Sequence, residues 1–584
     1  MCGIAFLSKN ISNLKDNKTF INRLKIRGPD DFSVVKTGLG DLFHSRLQIV
    51  GGAGSRQPFR DVESQVSVVV NGEIFNYRDL RSSLSSRGRR FNTKSDCEVL
   101  LHGYLEFGLA FIPQMEGQFA FIIIDERHSI LYAGRDRVGE KPLFYNFSPG
   151  RSPSLAISSD ARALASLQPN VELNSGVIRD FFAYQFIPEN KSIFTNLHKV
   201  EPGSVIGFDL LSQETRQVLY WDITQVALSA GRADYSNGVN ELNEVVYESV
   251  VSSCLGDEPP GVALSGGVDS SLIASICMDA GIDVSAFSIG QKKSSLLDES
   301  DQAFNYAREL GLNFSASFAS EASLLSNFGL AVDAMDEPFG DVSALNYFAL
   351  GRMARRCGYR SVLTGHGADE LFWGYQWVWQ AASNSIAKSS GRNVFSQGAA
   401  YRFVLENTSS LFGQRLSSDD LYATTGCSKL DSLHEAFVSL FNLYLRSNGA
   451  AQIDRMFMAS GVEARSPFLD KRLIETICSH PNLFYPSNPK ALLKTAASKW
   501  VPVEILNRQK RGFQAPINRW ISLLLREESF LLSHQSFLSR NQILNLPLIL
   551  DQFGKGNRAV DNILWCGLVF EKWIQSFDRD VWVN

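Results

Sequence analysis

The sequence predicts a two-domain α/β protein, in which a sheet-rich α+β domain is followed by an α/β domain with a parallel sheet. The chain has 584 residues, too many for one ordinary core. Its first 150 or so residues alternate short β-rich runs with turns. From about residue 237, apolar strand patterns alternate with helical patterns, as they do in β-α-β units.

The composition is typical of a globular protein. Hydrophobic residues make up 44% of the chain, charged residues 20%, and the net charge is -4. This charge gives no electrostatic reason to bind nucleic acid or an anionic membrane, and we predict neither partner. The sequence has no run near the roughly 18 apolar residues of a membrane helix. The N-terminus lacks the pattern of a cleaved signal, so we expect a cytoplasmic protein.

The eight cysteines are scattered and form no CxxC pair. Neither a structural zinc site nor a disulfide framework is therefore predicted. This usage fits a reducing compartment such as the cytosol.

The first domain is predicted to span residues 2–150. Strand patterns at 66–70 and 119–124 each run into a turn, Asn71-Gly72 and Asp125-Glu126, and a further strand follows at 130–133. Helical spacing occurs between them at 79–87 and 97–107. Residues 151–235 contain clusters of the turn-forming residues Ser, Pro and Gly between short strand patterns, and they are predicted to be a connecting region.

The second domain is predicted to span residues 236–584. An apolar strand at 261–264, a Gly-rich turn, a helix from Ser270 and a strand at 284–289 form one parallel β-α-β unit. A second unit leads through a helix at 343–357 and a strand at 361–363 into another Gly-rich turn. We expect the two turns to form one site, because the carboxyl ends of parallel strands meet at one edge. The C-terminal helical segment at 563–577 is predicted to be core.

The first of these turns has the chemistry of an anion site. The run SGGVDSS at residues 265–271 follows a buried strand and opens a helix, so its N–H groups and hydroxyls can surround a phosphate. It has no Lys, and the chain has no GxxxxGKS or GxxxxGKT motif, so it is not a loop for transfer of the terminal phosphate. The run resembles the PP-loop of ATP pyrophosphatases, which release pyrophosphate and adenylate a substrate. A turn without a ligand is the alternative.

Two carboxylates are the candidate metal ligands. A pyrophosphate leaving group needs cations, and Asp269 and Asp369 offer hard oxygen atoms suited to Mg²⁺, which binds through few carboxylates. ATP and Mg²⁺ are therefore the predicted cofactors.

The second turn, from Thr364 to Tyr375, reads TGHGADELFWGY and resembles the S-G-x-G-x-D-E-L-F-x-G-Y signature of asparagine synthetases. Further family pieces follow in order at 298–300, 336–341, 463–470 and 510–513, with Pro516 and Trp520. The resemblance covers nearly the whole chain. It implies that ATP is contacted by Leu264, Ser265, Gly266, Gly267, Asp269, Ser270, Ile289, Thr364 and Gly365.

Two further residues of the second domain take roles from this resemblance. Lys490 falls where the family keeps a lysine beside the triphosphate, and an ammonium there would stabilise charge on the α-phosphate as pyrophosphate leaves. Taken alone, a lysine on a helix would be interpreted as a solvated charge. His366 stands where well-known asparagine synthetases have a Glu close to the acceptor, so His366 is the acceptor-site candidate.

The N-terminus offers a nucleophile. Removal of the initiator Met from Met1-Cys2-Gly3-Ile4 exposes a cysteine whose own α-amino group lies beside its thiol. That amine has a reference pKa of about 7.7 to 8.0, so it can serve as the base that activates the thiol. A buried structural cysteine is the alternative.

Four motifs support the nucleophile. The runs RGPD at 27–30, HSRL at 44–47, NGEIFN at 71–76 and SDCE at 95–98 occur at the order and intervals of class II glutamine amidotransferases. This resemblance implies an N-terminal nucleophile hydrolase with an αββα sandwich, followed by a doubly wound parallel-sheet PP-loop domain with C-terminal helices.

The same resemblance gives the glutamine site. It places Asn71 and the Gly72 N–H in an oxyanion hole. It assigns Arg46 to the α-carboxylate of glutamine, and Glu73 with Asp96 to its α-ammonium. The implied glutamine-binding set is Arg46, Leu47, Gln48, Ile49, Val50, Asn71, Gly72, Glu73 and Asp96. An Asn-Gly pair is also typical of a hairpin turn, and we expect a turn here that presents these donors.

The two resemblances together imply one reaction. Glutamine forms a glutamyl thioester on Cys2 and releases ammonia, which attacks an acyl adenylate made in the second domain. Aspartate is the leading acceptor; because of His366, a sugar uronic acid or a peptide side chain is the alternative. Lactam-forming relatives commonly lack the N-terminal Cys, and a non-catalytic protein should have lost Cys2, Asp269, Asp369 or Lys490. A homodimer remains open.

Overall fold

The computed structural model of the protein describes residues 2–11, 17–228, 238–291, 300–376, 378–379, 411–412, 432–479, 488–508, 516–533, 535–577 and 581–583.

Two six-stranded antiparallel sheets form the N-terminal part of the protein. The strands of this part are β1 (Cys2–Ser8), β2 (Asp31–Lys36), β3 (Gly40–Arg46), β4 (Phe59–Asp61), β5 (Val66–Ile74), β6 (Gly117–Asp125), β7 (Ile130–Arg135), β8 (Phe144–Ser148), β9 (Ser154–Ser158), β10 (Val171–Leu173), β11 (His198–Lys199), β12 (Ser204–Asp209) and β13 (Thr215–Leu219). One sheet has the order β11-β8-β9-β1-β3-β2, and the other has the order β13-β12-β7-β6-β5-β4.

The two sheets pack face to face, with helices on both outer sides. Along β5, Val69 points into the core between the sheets, whereas Val68 and Val70 pack against outer helices, as strand alternation requires. The helices of this part are α1 (Lys18–Arg27), α2 (Tyr77–Ser86), α3 (Glu98–Phe107), α4 (Ala161–Ala165), α5 (Ser175–Tyr184) and α6 (Ile223–Leu228). The expected αββα sandwich is confirmed.

The segment 151–235, predicted to connect the domains, contributes strands to both sheets. Strand β9 lies between β8 and β1, and β12 lies between β7 and β13. The short strands of this segment therefore find partners in the sandwich. The division of the chain at residues 150 and 235 stays a prediction.

The strand predicted at 66–70 is longer than expected, and the predicted Asn71-Gly72 hairpin turn is wrong. Strand β5 continues to Ile74, and Asn71 and Gly72 pair with Ala120 and Phe119 of β6. Gly72 has a φ of 136°, and a Cβ atom there would lie 2.0 Å from the Gln118 carbonyl oxygen. Glycine is thus required by a close strand pairing rather than by a turn.

A parallel sheet forms the centre of the C-terminal part, as predicted. Its strands are β14 (Gly261–Ala263), β15 (Ser285–Gln291), β16 (Asn313–Ala319), β17 (Ser361–Leu363) and β18 (Glu463–Arg465), in the order β16-β15-β14-β17-β18. The chain starts at the central strand β14, adds β15 and β16 on one side, and then adds β17 and β18 on the other. The strand order therefore reverses between β14 and β17, which is where open α/β sheets bind ligands.

Helices surround this sheet and complete the C-terminal part. They are α7 (Gly238–Ser253), α8 (Val268–Asp279), α9 (Ser300–Glu309), α10 (Glu321–Ala334), α11 (Ser343–Arg356), α12 (Ala368–Leu371), α13 (Ser432–Ser439), α14 (Ala451–Met458), α15 (Lys471–Ser479), α16 (Ala491–Ala497), α17 (Val503–Leu506), α18 (Ile517–Glu527), α19 (Phe537–Arg540), α20 (Leu546–Gln552) and α21 (Arg558–Gln575). A π-helical stretch, Leu440–Ala450, joins α13 to α14. The predicted C-terminal core segment is confirmed, since Trp565 and Trp573 of α21 are buried. A short strand, β19 (Val581–Val583), pairs with β10.

None of the described helices is long and apolar enough to cross a membrane.

Buried charged side chains join the two parts. Asp454 of α14 accepts hydrogen bonds from Arg27 at 3.1 Å and from Lys141 at 3.5 Å, both from the N-terminal part. On β18, Glu463 accepts a hydrogen bond from Gln118 of β6 at 2.7 Å. Because burying an unpaired charge is costly, these pairs favour one relative placement of the two parts.

Candidate active sites

Cys2 is the first residue of β1 and belongs to the apolar core between the two sheets. Its side chain is buried, and its backbone nitrogen donates to Asn71 Oδ1 at 2.9 Å. Removal of Met1 would turn this nitrogen into the α-amino group beside the thiol. Burial raises the pKa of the Cys2 thiol, while the amino-terminal charge, a backbone hydrogen bond from Leu47 and the charge of Arg46 oppose this rise.

Asn71 is held beside Cys2. The register of β5 and β6 fixes its backbone, and its Oδ1 is held by Cys2 N. Its Nδ2 is buried and has no hydrogen-bond acceptor among the described residues. A buried amide donor without an acceptor is costly, and such groups are typical of sites that bind an oxygen of a ligand.

Two buried carboxylates lie beyond Asn71. Glu73 is on β5, and Asp96 precedes α3 and accepts from Ile74 N at 2.8 Å. Burial raises the pKa of both carboxyl groups. The Cys97 thiol also belongs to this group, because its Sγ lies 3.4 Å from Asp96 Oδ2. The sequence did not assign Cys97 a role, although it stands inside the SDCE motif.

Arg46 and the residues after it form the opposite side of the first site. Arg46 pairs with Cys2 across β1 and β3, and its guanidinium donates to Gly52 O at 2.8 Å. Leu47, Ile49 and Val50 are buried against Met458 of α14. The loop after β3 is thus held by the C-terminal part.

Gln48 and the Gly51-Gly52 pair extend this contact. Gln48 N donates to Asp30 Oδ2 at 2.9 Å, and Arg360 of the C-terminal part donates to Gln48 O at 3.3 Å. Asp257 accepts from Gly51 N and Gly52 N at 3.1 and 2.8 Å. The predicted glutamine-site residues therefore lie on or next to β1, β3 and β5, but Gln48 and Ile49 line a separate small pocket with Asp257 and Arg360.

A cavity of about 300 Å³ lies where the strand order of the parallel sheet reverses. This volume is at the lower end of the usual range for ligand sites. The cavity takes residues from both Gly-rich turns, which follow the adjacent strands β14 and β17. Predicted nucleotide-site residues in its wall are Leu264, Ser265, Asp269, Ser270, Ile289, Thr364 and Gly365. Gly266 and Gly267 lie between Ser265 and α8, but they do not line the cavity.

The first turn is organised by its serines. Ser270 Oγ accepts from Ser265 N at 3.1 Å, and the two hydroxyl oxygens lie 3.1 Å apart. Gly266 has a φ of 77°, which lets the chain reverse before α8 begins. The second turn lies close to the start of α8, since a Cβ on Gly365 would lie 2.9 Å from Asp269 Cβ. The helix N-terminus and the hydroxyls thus face one small space.

Lys490 lies between the two predicted metal ligands. Its Nζ is 2.5 Å from Asp269 Oδ2 and 2.7 Å from Asp369 Oδ1. These carboxylates raise the pKa of the buried lysine against the effect of desolvation, so the ammonium is charged. Gly374 makes room for the contact, because a Cβ there would lie 2.0 Å from Asp369 Oδ1. Lys490 also has a φ of 57°, a strained backbone of a kind that recurs at functional sites.

The donor set suits a divalent cation that also binds phosphates. Asp269 and Asp369 are close enough to share one ammonium, and Mg²⁺ commonly uses one or two carboxylates together with substrate phosphates. The described residues contain no group of three or more His, Cys, Asp or Glu side chains that could hold a metal ion.

His366 lies in the wall of the same cavity, above the π-helical stretch. A Cβ on Gly449 would lie 2.0 Å from His366 Nε2, so only glycine leaves room for this ring. His366 Nε2 has no hydrogen-bond partner within the described chain. Asp341 also lines the cavity and accepts from Asn448 at 2.9 Å.

Several cavity residues escaped the sequence reasoning. Asp341 belongs to a family piece that was noted without a role, whereas Asn448, Gly449 and Gln452 carried no sequence signal. The family pieces at 298–299 and 510–513 lie outside the described residues.

Comparisons with known proteins agree with this two-site arrangement. The asparagine synthase family profile matches residues 241–575, and the profile of the glutamine amidotransferase domain matches residues 1–221. Glutamine-hydrolysing asparagine synthetase 1 of Bacillus subtilis is 26% identical, covering 90% of this chain and 89% of its own. Amidase chyE of Penicillium rubens is 27% identical, covering 85% of this chain and 84% of its own.

A solved structure was also found. Glutamine phosphoribosylpyrophosphate amidotransferase from B. subtilis, complexed with ADP and GMP, covers 62% of this chain and 82% of its own, with 14% identity and a TM-score of 0.30.

The two family profiles and the matched synthetase define a glutamine-hydrolysing ligase. More specifically, the chain belongs to the asparagine synthase family, whose profile covers more than half of it.

Replacement of Gly72 by Ala tests the geometry around Cys2. The new Cβ would collide with the Gln118 carbonyl oxygen, so β5 must shift and move the donors near Cys2. We expect kcat/KM for glutamine hydrolysis to fall by about 100-fold or more, the usual effect of losing an oxyanion donor.

Gly88→Ala is the matched control. Gly88 also has a positive φ, 91°, but a Cβ there would meet nothing within 4 Å. It should lose some stability and keep its glutaminase activity. Equal activity of Gly72→Ala and Gly88→Ala would contradict the proposed geometry.

Proposed function

We propose that the protein uses ATP to adenylate a carboxylate and then converts it into an amide with ammonia released from glutamine at Cys2. The main support is that one chain holds a buried N-terminal cysteine against Asn71 and, across a buried interface, a cavity formed by two Gly-rich turns. Buried ion pairs join the two parts, so the sites have a fixed relation.

In the first site, the proposed base is the α-amino group of Cys2 after removal of Met1. Cys2 Sγ attacks the side-chain amide carbon of glutamine. Asn71 Nδ2 and the Gly72 N–H donate hydrogen bonds to the oxyanion that develops. Arg46 holds the α-carboxylate, and Glu73 with Asp96 holds the α-ammonium. Collapse of the tetrahedral intermediate releases ammonia and leaves a glutamyl thioester, which water hydrolyses.

In the second site, we propose that the Ser265–Ser270 turn and the Thr364-Gly365 turn hold ATP. The acceptor carboxylate attacks the α-phosphorus, pyrophosphate leaves, and ammonia then displaces AMP from the acyl adenylate. Asp269 and Asp369 would hold Mg²⁺ together with the phosphates, and the ion would neutralise charge on the leaving pyrophosphate. Lys490 would then be released from this pair to contact the α-phosphate.

Aspartate is the first acceptor to test, since relatives aligned over most of their length are named asparagine synthetases. A second candidate is a carboxylate on a larger molecule, such as a sugar uronic acid or a peptide side chain. This alternative is favoured by the described cavity wall, which has no Lys or Arg to pair with the α-carboxylate of aspartate. The wall instead offers His366, Asp341 and three tyrosines, Tyr347, Tyr375 and Tyr444.

Cys2→Ala tests the nucleophile. The variant should lose glutamine hydrolysis and glutamine-dependent amide formation, because no other group is proposed to form the thioester. It should keep amide formation with free ammonium salts, measured as AMP release by chromatography. Cys357→Ala, which removes an exposed thiol at the end of α11, is the control and should behave like the wild type. Glutamine consumption by Cys2→Ala would show that the nucleophile is wrongly assigned.

Asp269→Asn tests the second site. Loss of this carboxylate should lower ATP cleavage to AMP and pyrophosphate by about 100-fold or more and leave glutamine hydrolysis in place. Asp279→Asn is the matched control, because Asp279 is an exposed carboxylate on the same helix, α8. ATP cleavage that survives Asp269→Asn at the wild-type rate would refute the proposed metal site.

A further inference from the structure

Arg465, the last residue of β18, extends from the C-terminal part toward the Cys2 site. Its side chain is completely buried. The Nε atom donates to Glu463 Oε1 at 2.6 Å, and Nη1 donates to Ser253 O at 2.8 Å and to Leu255 O. The third nitrogen, Nη2, lies 3.9 Å from Glu73 Oε1.

This geometry leaves hydrogen-bonding capacity on both sides of the gap. Arg465 Nη2 has no acceptor within hydrogen-bond distance among the described residues, and Glu73 Oε2 has no donor there. The two groups therefore attract each other through their charges without forming a hydrogen bond. Glu73 therefore keeps an oxygen that can accept a hydrogen bond from a ligand, while the guanidinium of Arg465 balances its charge.

Glu73 needs such a balance. The buried carboxylate of Asp96 is close enough to raise the pKa of Glu73, so the proposed glutamine site contains two buried carboxylates that repel each other. Like charges in a buried site strongly disfavour simultaneous ionisation. An ammonium ligand, however, is best held by carboxylates that are ionised.

We propose that Arg465 is a positioning residue for glutamine: its guanidinium, supplied by the second domain, favours the ionised form of the Glu73 carboxylate and orients it toward the α-ammonium of the substrate. The inference rests on the proposed function and extends it. It makes the first domain incomplete on its own, because the cation that supports its substrate-binding carboxylate comes from β18.

Arg465 opposes the groups that favour the neutral form of Glu73. Burial, Asp96 and Glu463 raise the pKa of Glu73 well above its usual value, while Arg465 and the amino-terminal charge lower it. Two thiols also face Glu73, those of Cys97 and Cys2. Burial and the charges of Asp96 and Glu73 raise the pKa of Cys97. Burial and the charge of Glu73 raise the pKa of Cys2, against the amino-terminal charge and Arg46. Glutamine binding should weaken as the pH falls through the pKa of Glu73. Removing Arg465 raises this pKa, so the weakening should begin at a higher pH.

The test is the pH dependence of KM and kcat for glutamine hydrolysis in the full chain. Arg465→Met should raise KM at neutral pH by about tenfold, the factor given by one pKa unit, with a much smaller effect on kcat. Its rise in KM at low pH should begin at a higher pH than in the wild type. Arg465→Lys keeps the charge and should restore most of the wild-type profile.

Two further variants separate this role from a structural one. Glu463→Gln removes a negative charge but keeps an acceptor oxygen for Arg465. In this variant KM should begin to rise at a lower pH than in the wild type, the opposite of the shift expected for Arg465→Met. Arg472→Met removes another ion pair between the two parts, with Glu116, and should leave the profile unchanged.

The outcomes are distinct. If Arg465→Met has the wild-type KM, and its KM begins to rise at the wild-type pH, the inference is overturned and the proposed function stands. The same holds if Arg465→Lys is impaired as much as Arg465→Met. If Arg465→Met does not fold, the direction of the Glu463→Gln shift decides, and an unchanged or upward shift overturns the inference. A wild-type protein that hydrolyses no glutamine would overturn the proposed function itself.

Discussion

The buried charge of Arg465 is the constraint on which the arrangement of the two sites depends. A buried guanidinium needs hydrogen-bond acceptors and a balancing negative charge. Arg465 has acceptors on β18 and at the end of α7, and it has the carboxylate of Glu73 nearby only when the N-terminal sheets pack against them. The backbone of the same residue belongs to the second site, since Thr364 N donates to Arg465 O at 2.8 Å. One residue thus contacts the edge of the cavity with its backbone and the neighbourhood of Cys2 with its side chain.

Helix α14 also links the N-terminal part to the cavity. Asp454 points to Arg27 and Lys141 of the N-terminal part, while the preceding residues, Gln452 and Ile453, line the cavity. A helix and a strand of the C-terminal part thus connect residues of the cavity wall to the N-terminal part. This arrangement suits the proposed function, because ammonia released at Cys2 must reach the acyl adenylate before water protonates it.

The sequence predicted the parts of the molecule that depend on local pattern. The β-α-β units and both Gly-rich turns were predictable because strand periodicity and turn residues are local signals. The αββα sandwich was predicted only through the resemblance of the motifs to a known family. The Asn71-Gly72 turn was mispredicted because pairing with β6 outweighed the turn preference of the dipeptide. Long-range features gave no local signal: the sequence could not show that Lys490 bridges Asp269 and Asp369, or that Gly449 makes room for His366.

The central claim is that one chain passes nitrogen from glutamine to an activated carboxylate. The most direct measurement supplies ATP, Mg²⁺, aspartate and glutamine labelled with ¹⁵N in its amide, together with excess unlabelled ammonium, and follows all products by mass spectrometry. The account predicts AMP and glutamate in matching amounts and an amide product that keeps the ¹⁵N label, first sought as asparagine and then with uronic acid or peptide acceptors. Glutamate formed without AMP for every carboxylate tested, or a product that carries only unlabelled nitrogen, would contradict it.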